Sequence, residues 1–119
     1  MKDLAFVIED DEDLAAIFTA ALQNADYEVE TLRDGLTAQR RILKVVPHLI
    51  VLDMHLPYIS GADIITQIRA DGRFRQTIIV IATADARTGE AFTEIADFVL
   101  IKPIAFRQLR DLTARLHRI

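Results

Sequence analysis

The chain changes from apolar to acidic within residues 49–57, which read LIVLDMHLP. Its first four residues are apolar and follow Pro47, a pattern typical of a short strand that is buried on both faces. Asp53 comes directly after these four residues. The stretch therefore predicts a core strand that carries a single carboxylate at its end.

Four further apolar runs have similar length: Leu4–Ile8, Tyr27–Leu32, Ile78–Ala82 and Phe98–Ile101. In the run at 27–32, Glu28 and Glu30 alternate with apolar or β-branched residues, which indicates one wet face and predicts an edge strand. The other four runs, including 49–52, are predicted to be buried strands.

Helical periodicity separates these runs. A first helix is predicted from an apolar stripe at i, i+3, i+4, i+7 and i+8, formed by Leu14, Ile17, Phe18, Ala21 and Leu22. A second is predicted over about 35–46, carried by Leu36, Ile42, Leu43 and Val46 and stopped by Pro47. Later helices rest on Ile64, Ile65 and Ile68 and on Leu109, Leu112 and Leu116. Arginines off the last stripe, Arg107, Arg110, Arg115 and Arg118, indicate a solvated face.

Strand and helix thus alternate five times, which predicts an α/β domain with a parallel sheet and helices on both faces. The 119 residues suffice for one such domain, assigned to 1–119. Ligands in these sheets bind outside the carboxyl ends of the strands. The functional residues are therefore expected at that edge.

Composition excludes several classes of function. Cysteine is absent, so disulfides and thiolate metal sites are excluded, and a reducing cytosolic location is expected. No apolar run approaches the roughly 20 residues of a membrane span. The net charge of −4 gives no general attraction to nucleic acid. We therefore expect a cytoplasmic protein with neither membrane insertion nor direct nucleic-acid binding by this chain.

Polar residues follow four of the five predicted strands. They are Glu9, Asp10 and Asp11 after the first, Asp53 after the third, Thr83 after the fourth and Lys102 after the fifth. Converging carboxylates repel one another and need a cation, and an all-oxygen set with few protein donors suits Mg²⁺. With that ion and a nearby ammonium, a carboxylate can act as nucleophile toward phosphorus. Asp53 is the predicted nucleophile.

These residues resemble response regulator receiver domains of two-component signalling over essentially the whole chain. The matching motifs are VIEDD at 7–11, LDMHLP at 52–57 followed by Gly61, ATA at 82–84 and KP at 102–103. The resemblance implies a flavodoxin-like, doubly wound three-layer (βα)5 fold with strand order 2-1-3-4-5. The specificity rests on several ordered motifs rather than one short pattern.

The resemblance also implies a role for each site residue. Asp53 accepts the phosphoryl group. Mg²⁺, with Mn²⁺ as an alternative, is bound by Asp10, Asp53 and the backbone carbonyl of His55, and by Glu9 through water. Thr83, the amide of Ala84 and Lys102 contact the phosphoryl group, and Pro103 is expected to follow a cis peptide bond.

The implied function is signal transduction rather than turnover of a substrate. A sensor histidine kinase or phosphotransfer protein donates to Asp53, and the phosphorylated domain switches conformation to regulate a downstream output domain or protein. The domain is then no enzyme beyond catalysing its own phosphorylation and dephosphorylation. The face of the fourth helix, fifth strand and fifth helix is where the resemblance allows a partner or a homodimer.

Two departures from the family concern this output face. Receivers usually carry Tyr or Phe three positions before the lysine, as a switch residue, where this chain has Val99. Phe98 cannot substitute, because strand alternation directs it to the opposite face. The stretch from Thr83 to Lys102 is also short, which predicts a short or irregular fourth helix.

His55 and Asp85 lie two residues beyond Asp53 and Thr83, where side chains of this family influence the lifetime of the acyl phosphate. Our hypothesis is that they interact across the mouth of the site and regulate attack by water. The alternative is that both are simply solvated, since surface ion pairs are weak.

Two other functions remain open at this stage. One is a receiver-like interaction module that works without phosphorylation, which Val99 and the short fourth helix favour. The other is a phosphohydrolase or another flavodoxin-like enzyme, for which Asp11 and His55 are the candidate acid/base groups.

Overall fold

Five strands alternate with five helices in the computed structural model, which describes residues 1–118. The strands are β1 (Asp3–Ile8), β2 (Tyr27–Leu32), β3 (Leu49–Asp53), β4 (Ile78–Thr83) and β5 (Phe98–Ile101). The helices are α1 (Glu12–Asn24), α2 (Gly35–Ile42), α3 (Gly61–Arg69), α4 (Ala86–Ala91) and α5 (Phe106–Ala114), with one 3-10 turn at Gly72–Phe74. The predicted alternation is confirmed.

The strands form one parallel sheet in the order β2-β1-β3-β4-β5. This order matches the one that the family resemblance implied, and β2 lies at an edge as its alternation predicted. The prediction that the run at 98–101 is buried is wrong. Within the described chain β5 pairs with β4 alone, so Phe98 and Ile101 are 36% and 43% exposed.

Side chains of the sheet point alternately into two apolar cores, one on each face. Phe6 and Ile8 of β1 join the core beneath α2 and α3, whereas Ala5 and Val7 join the core beneath α1 and α5. Every residue of β3 is at most 3% exposed. Because each fully buried Leu, Ile or Val contributes about 1.5–3 kcal/mol, the strand that carries Asp53 is held firmly at the centre of the sheet.

Four of the five helices begin at residues whose side chains accept a hydrogen bond from the first turn: Asp85 caps α4, and three further residues cap α1, α2 and α3. Asp11 accepts from the Leu14 N–H, Asp34 from the Thr37 N–H and Ser60 from the Asp63 N–H. Such caps stabilise a helix by about 1 kcal/mol each. All three lie at the carboxyl edge of the sheet, so they also fix the loops that surround the predicted site.

The predicted apolar stripes are partly wrong for the first two helices. Ile17 is 41% exposed, and Ala15 is buried in its place. On α2, Leu36 is 38% exposed, and the buried residues are Gly35, Ala38 and Ile42. Periodicity places apolar residues on a helix but does not tell which flank of a wide stripe meets the sheet.

Helix α2 also ends earlier than predicted, at Ile42 rather than near residue 46. Arg73, in the 3-10 turn, donates hydrogen bonds to the carbonyls of Ile42 and Leu43, both at 3.2 Å. These bonds satisfy carbonyls that are left unpaired at a helix end. Leu43 and Val46 therefore lie beyond the helix and are 61% and 42% exposed.

The short fourth helix is confirmed, since α4 has six residues. The chain that follows it is held by Arg69 at the end of α3. The Arg69 Nε donates to the Ile95 carbonyl at 2.7 Å, and its Nη2 binds the Asp97 Oδ2 at 2.8 Å. The same Asp97 oxygen accepts from the Ile79 N–H of β4 at 2.8 Å. This contact sets the start of β5.

The peptide bond between Lys102 and Pro103 is cis, as predicted. Across residues 1–118, the helices are all too short or too polar to cross a lipid bilayer.

Candidate functional site

The predicted site residues meet at the carboxyl edge of the sheet, as the strand ends implied. Asp53 pairs in register with Ala82, and Thr83 pairs with Ile101, the residue before Lys102. Glu9 directly follows β1 and is tied to β2 by its N–H, which donates to the Leu32 carbonyl at 3.0 Å. Four neighbouring segments therefore deliver one functional group each.

Lys102 lies between two buried carboxylates. Its Nζ is 2.8 Å from the Glu9 Oε1 and 3.2 Å from the Asp53 Oδ1. Glu9 and Asp53 are only 1% and 3% exposed. The Asp53 Oδ1 also accepts a hydrogen bond from the His55 N–H at 3.3 Å. One ammonium thus serves two carboxylates that are removed from water.

The charge balance of this group is unequal. Burial raises the pKa of the Glu9 carboxyl to about 7, because the hydrogen bond from Lys102 only partly offsets the loss of hydration and the repulsion from Asp53. Burial by itself would lower the pKa of Lys102, but the hydrogen bond and charge of Glu9 and the charge of Asp53 raise it. The lysine therefore stays charged, and negative charge remains in excess.

Asp10 adds a third carboxylate at the exposed mouth of the site. One oxygen each from Glu9, Asp10 and Asp53 lies within 4.8 Å of the others. Among these four side chains alone, three carboxylates and one ammonium leave an excess of two negative charges when all are ionised. Hard oxygen donors with this excess fit a divalent cation such as Mg²⁺ or Mn²⁺. The residues present therefore suit the ion that the sequence predicted.

Thr83 lies at the end of β4 and is fully buried. Its Oγ1 accepts a hydrogen bond from the Asp85 N–H at 3.1 Å, and its carbonyl accepts from the Lys102 N–H at 2.7 Å. A hydroxyl oxygen that accepts a bond can still donate its own hydrogen. Ala84, the residue with the predicted contacting amide, is exposed beside it.

Asp85 is the N-cap residue of α4. Its carboxylate accepts from the Arg87 N–H at 2.9 Å and from the Thr88 hydroxyl at 3.1 Å. These bonds lower the pKa of Asp85, and the charge of His55 lowers it slightly further. No hydrogen bond or ion pair joins His55 to Asp85 among the described residues, and their role in the lifetime of the phosphoryl group stays a prediction.

The loop after Asp53 is held by close backbone packing. A Cβ atom on Gly61 would lie 2.4 Å from the Asp53 carbonyl oxygen and 2.6 Å from the Met54 Cα, so only glycine fits there. Between them, Tyr58 has φ 71° and the Ile59 N–H donates to the Pro57 carbonyl at 2.9 Å, which forms a γ-turn.

Arg33 is a site residue that sequence reasoning missed. It directly follows β2, and it donates to the Glu9 carbonyl from Nε at 3.1 Å and to the Asp10 carbonyl from Nη2 at 2.7 Å. Its position was the available signal, because Arg33 is a charged residue directly after β2, just as Glu9 is directly after β1. It fixes the backbone of two predicted metal ligands.

Val99 lies beneath α4, where the family usually has an aromatic residue. A Cβ on Gly89 of α4 would lie 2.7 Å from the Val99 Cγ1 and 3.5 Å from the Thr83 Cγ2. Val99 packs against the core under α2 and α3, and its neighbour Leu100 packs against the other core. The alternation confirms that Phe98 points away from Val99 and cannot take its place.

Comparison with known proteins places this geometry in one family. The family described as "Response regulator receiver domain" matches residues 5–114. The chain is 32% identical over 92% of its length to the transcriptional regulatory protein PrrA of Mycobacterium leprae. It is 30% identical over 99% of its length to the DNA-binding response regulator MtrA of Mycobacterium tuberculosis. It covers 46% and 52% of these proteins, about half of their length.

Solved structures show the same fold. The chemotaxis response regulator CheY4 of Vibrio cholerae superposes with a TM-score of 0.88 at 22% identity, covering 98% of this chain and all of that one. The bacteriophytochrome response regulator RtBRR superposes with a TM-score of 0.85 at 23% identity, covering all of this chain and 80% of that one. With the matched domain and the relatives above, this chain belongs to the response regulator receiver domain family of two-component systems.

Proposed function

We propose that Asp53 accepts a phosphoryl group from the phosphohistidine of a sensor histidine kinase or phosphotransfer protein in the cytosol. The observation that carries this proposal is the buried Asp53 carboxylate, which shares Lys102 with Glu9 and lies beside Thr83. In the reaction an Asp53 oxygen forms a bond to phosphorus while the phosphorus–nitrogen bond of the donor breaks. The leaving imidazole keeps the electron pair and takes a proton from solvent.

Asp10, Asp53, the carbonyl of His55 and, through water, Glu9 would hold Mg²⁺. The ion, when bound, neutralises negative charge that gathers on the phosphoryl oxygens during transfer. The charged Lys102 supplies a second positive group from the protein side. Thr83 donates its hydroxyl hydrogen, and the Ala84 N–H is the other donor. The converging carboxylates repel an anionic phosphodonor unless a cation accompanies it.

Phosphorylation adds about two negative charges and strong acceptor oxygens. Thr83 and Lys102 would bind the added group, so they favour the conformation in which they reach it. The Thr83 Cγ2 lies 3.5 Å from the position that a Cβ on Gly89 of α4 would occupy, so the end of β4 runs close beneath α4. We infer that this close approach carries the change to α4 and to a downstream output domain or protein. The domain acts as a signalling switch and turns over no other substrate.

Incubation of the chain with a small phosphodonor tests the proposal directly. Intact mass spectrometry should show one added phosphoryl group that requires Mg²⁺ and disappears on chelation. Asp53→Asn should abolish the adduct, whereas Asp63→Asn, an exposed acid on α3, should retain it. An adduct that persists in Asp53→Asn, or that forms equally well without a divalent ion, contradicts the assignment.

A second candidate is an interaction module that works without phosphorylation. Val99 in place of an aromatic residue and the six-residue α4 favour it, because both lie on the output face. Partner binding that is identical for the wild type, the phosphorylated form and Asp53→Asn would support this module instead of the switch.

A further inference from the structure

A cluster of titratable residues lies at the amino edge of the sheet, opposite Asp53. Asp3 begins β1, Tyr27 begins β2 and is its register partner, and His48 precedes β3. His117 joins them from the chain that leaves α5. We call these four residues the basal cluster.

The ring of His117 donates in two directions. Its Nδ1 lies 3.0 Å from the Asp3 Oδ2, and its Nε2 lies 2.6 Å from the Ala25 carbonyl oxygen. Both partners are acceptors, and a neutral imidazole carries only one N–H. The contacts are therefore satisfied together only when His117 is doubly protonated and positively charged.

The Tyr27 side chain also favours this cation. The Tyr27 ring stacks on the His117 ring, with centroids 4.1 Å apart and planes 16° from parallel. An aromatic face attracts a cation at this distance. Burial raises the pKa of Tyr27 to about 12, so its hydroxyl stays neutral and donates to the Thr113 carbonyl at 2.7 Å. It thereby also anchors the last turn of α5.

The exit segment, residues 115–118, is tied to the sheet at two further points. The His48 Nε2 contacts the Leu116 carbonyl at 2.5 Å. The Arg118 N–H and Nε donate to the Asp3 carboxylate at 3.1 and 3.2 Å, while its side chain stays 71% exposed, in line with the predicted solvated face. Asp3 thus accepts bonds from both His117 and Arg118.

We propose that Asp3 and protonated His117 form a pH-sensitive clasp that fastens residues 115–118 to the base of the sheet. Loss of the second proton from His117 leaves one of its two contacts without a hydrogen. The weakened clasp then releases this segment while the sheet and Asp53 stay in place. The clasp does not depend on the proposed phosphoryl chemistry, because it lies at the other end of the strands.

Several charged and titratable groups surround the His117 ring. They are Asp3 from β1, Asp26 and Tyr27 from the start of β2, His48 from the start of β3 and Arg118 from the segment itself. Burial alone would lower the pKa of His117, but the bonds to Ala25 and Asp3 and the charges of Asp3 and Asp26 raise it.

The direction of the pH dependence follows from these shifts. Because folding raises the pKa of His117, its protonated ring stabilises the folded state. This contribution to the free energy of unfolding is complete below the ordinary pKa of 6.5, and it is lost as the pH rises through the pKa of the folded state. Burial by itself would raise the pKa of Asp3, but the bonds from Arg118 and His117 lower it. The contribution of Asp3 to the free energy of unfolding is present above pH 3.8 and is lost as the pH falls through its pKa in the folded state.

Proton NMR of the whole chain tests the clasp through the His117 ring resonance. We expect His117 to titrate above 6.5, and Asp3→Asn to lower that value, because it removes the hydrogen bond and the negative charge of Asp3. Asp26→Asn is the matched control, because Asp26 is exposed and paired with Lys2 at 3.6 Å, and its effect should be smaller. A titration at or below 6.5, or equal shifts in the two variants, would overturn the proposal.

Amide exchange of the wild type supplies a second readout that needs no variant. After correction for intrinsic exchange, protection at residues 115–118 should fall about fivefold between pH 6 and pH 9, as the loss of one hydrogen bond of typical net strength implies. Protection in β3 should stay unchanged. Equal protection of the exit segment at both pH values contradicts the clasp even if Asp3→Asn fails to fold.

Discussion

The two edges of the sheet both collect carboxylates and cations, but in opposite proportion. At the carboxyl edge Glu9, Asp10 and Asp53 face one ammonium, and burial raises the pKa of Glu9 to about 7. At the amino edge Asp3 is bound by His117 and Arg118, and its pKa is lowered despite burial. Carboxylates that share a single hydrogen-bond donor favour binding of an added cation. A carboxylate that is bound by two cationic side chains instead stabilises the structure.

Removal of the single ammonium should have the largest effect at the carboxyl edge. Lys102→Ala deletes the positive group beside Asp53, and loss of one such stabilising group lowers a transfer rate by about 10²–10³-fold. The initial rate of Asp53 phosphorylation by a small phosphodonor, at saturating Mg²⁺, measures this. Lys44→Ala, an exposed lysine after α2, should phosphorylate at the wild-type rate. A rate close to wild type for Lys102→Ala would contradict the idea that the carboxyl edge depends on a single ammonium group.

Packing should also differ between glycines near the two edges. Gly61→Ala forces a Cβ to within 2.4 Å of the Asp53 carbonyl, which cannot move without shifting β3. We expect a loss of about 2 kcal/mol in the free energy of unfolding, as for other overpacked sites. Gly72→Ala, with no heavy atom within 4 Å, should change it by less than about 0.5 kcal/mol. Urea unfolding of both variants makes the comparison, and equal losses would contradict it.

Reducing the excess charge should weaken cation binding. Glu9→Gln keeps an acceptor for Lys102 but removes one negative charge, so the affinity for Mg²⁺ should fall about tenfold, as for other residues that support a metal indirectly. Isothermal calorimetry of the unphosphorylated chain measures this. Glu12→Gln, on the exposed first turn of α1, is the control. Unchanged or tighter binding would show that Glu9 serves Lys102 alone.

The smallest effect on stability is expected at Asp3, which has more than one hydrogen-bond donor. Arg118 is 71% exposed at its side chain, and Asp3 keeps His117 when this arginine is removed. Arg118→Ala should lower the free energy of unfolding by about 0.5 kcal/mol, the size typical of an exposed ion pair. Denaturant titration at pH 6 measures the loss. A loss above about 2 kcal/mol would mean that Asp3 depends on this arginine rather than on the clasp.

Much of the fold was predictable because an apolar run and its alternation are local properties of the sequence. The apolar runs located all five strands, and the alternation at 27–32 identified an edge. The exposure of β5 and the early end of α2 were not predictable in this way. The first depends on which strand has no outer neighbour, and the second on Arg73, which lies about 30 residues further along the chain.

The site at the carboxyl edge of the sheet was predictable because its side chains lie at the ends of strands. The basal cluster was not, since His48 and His117 have no partners visible in the sequence. Their partners are mostly backbone carbonyls and an aspartate more than a hundred residues away from His117. Arg33 was missed for a related reason, because it binds carbonyls rather than carboxylates.

The contact between Asp3 and His117 also has a consequence for the order of folding. It joins residues 114 positions apart, close to the two ends of the described chain. Closing so long a loop costs the most entropy, so this contact should form after the transition state, with a φ-value near zero. Asp3→Asn is therefore expected to speed unfolding and leave the folding rate unchanged, which the two arms of a chevron plot would show.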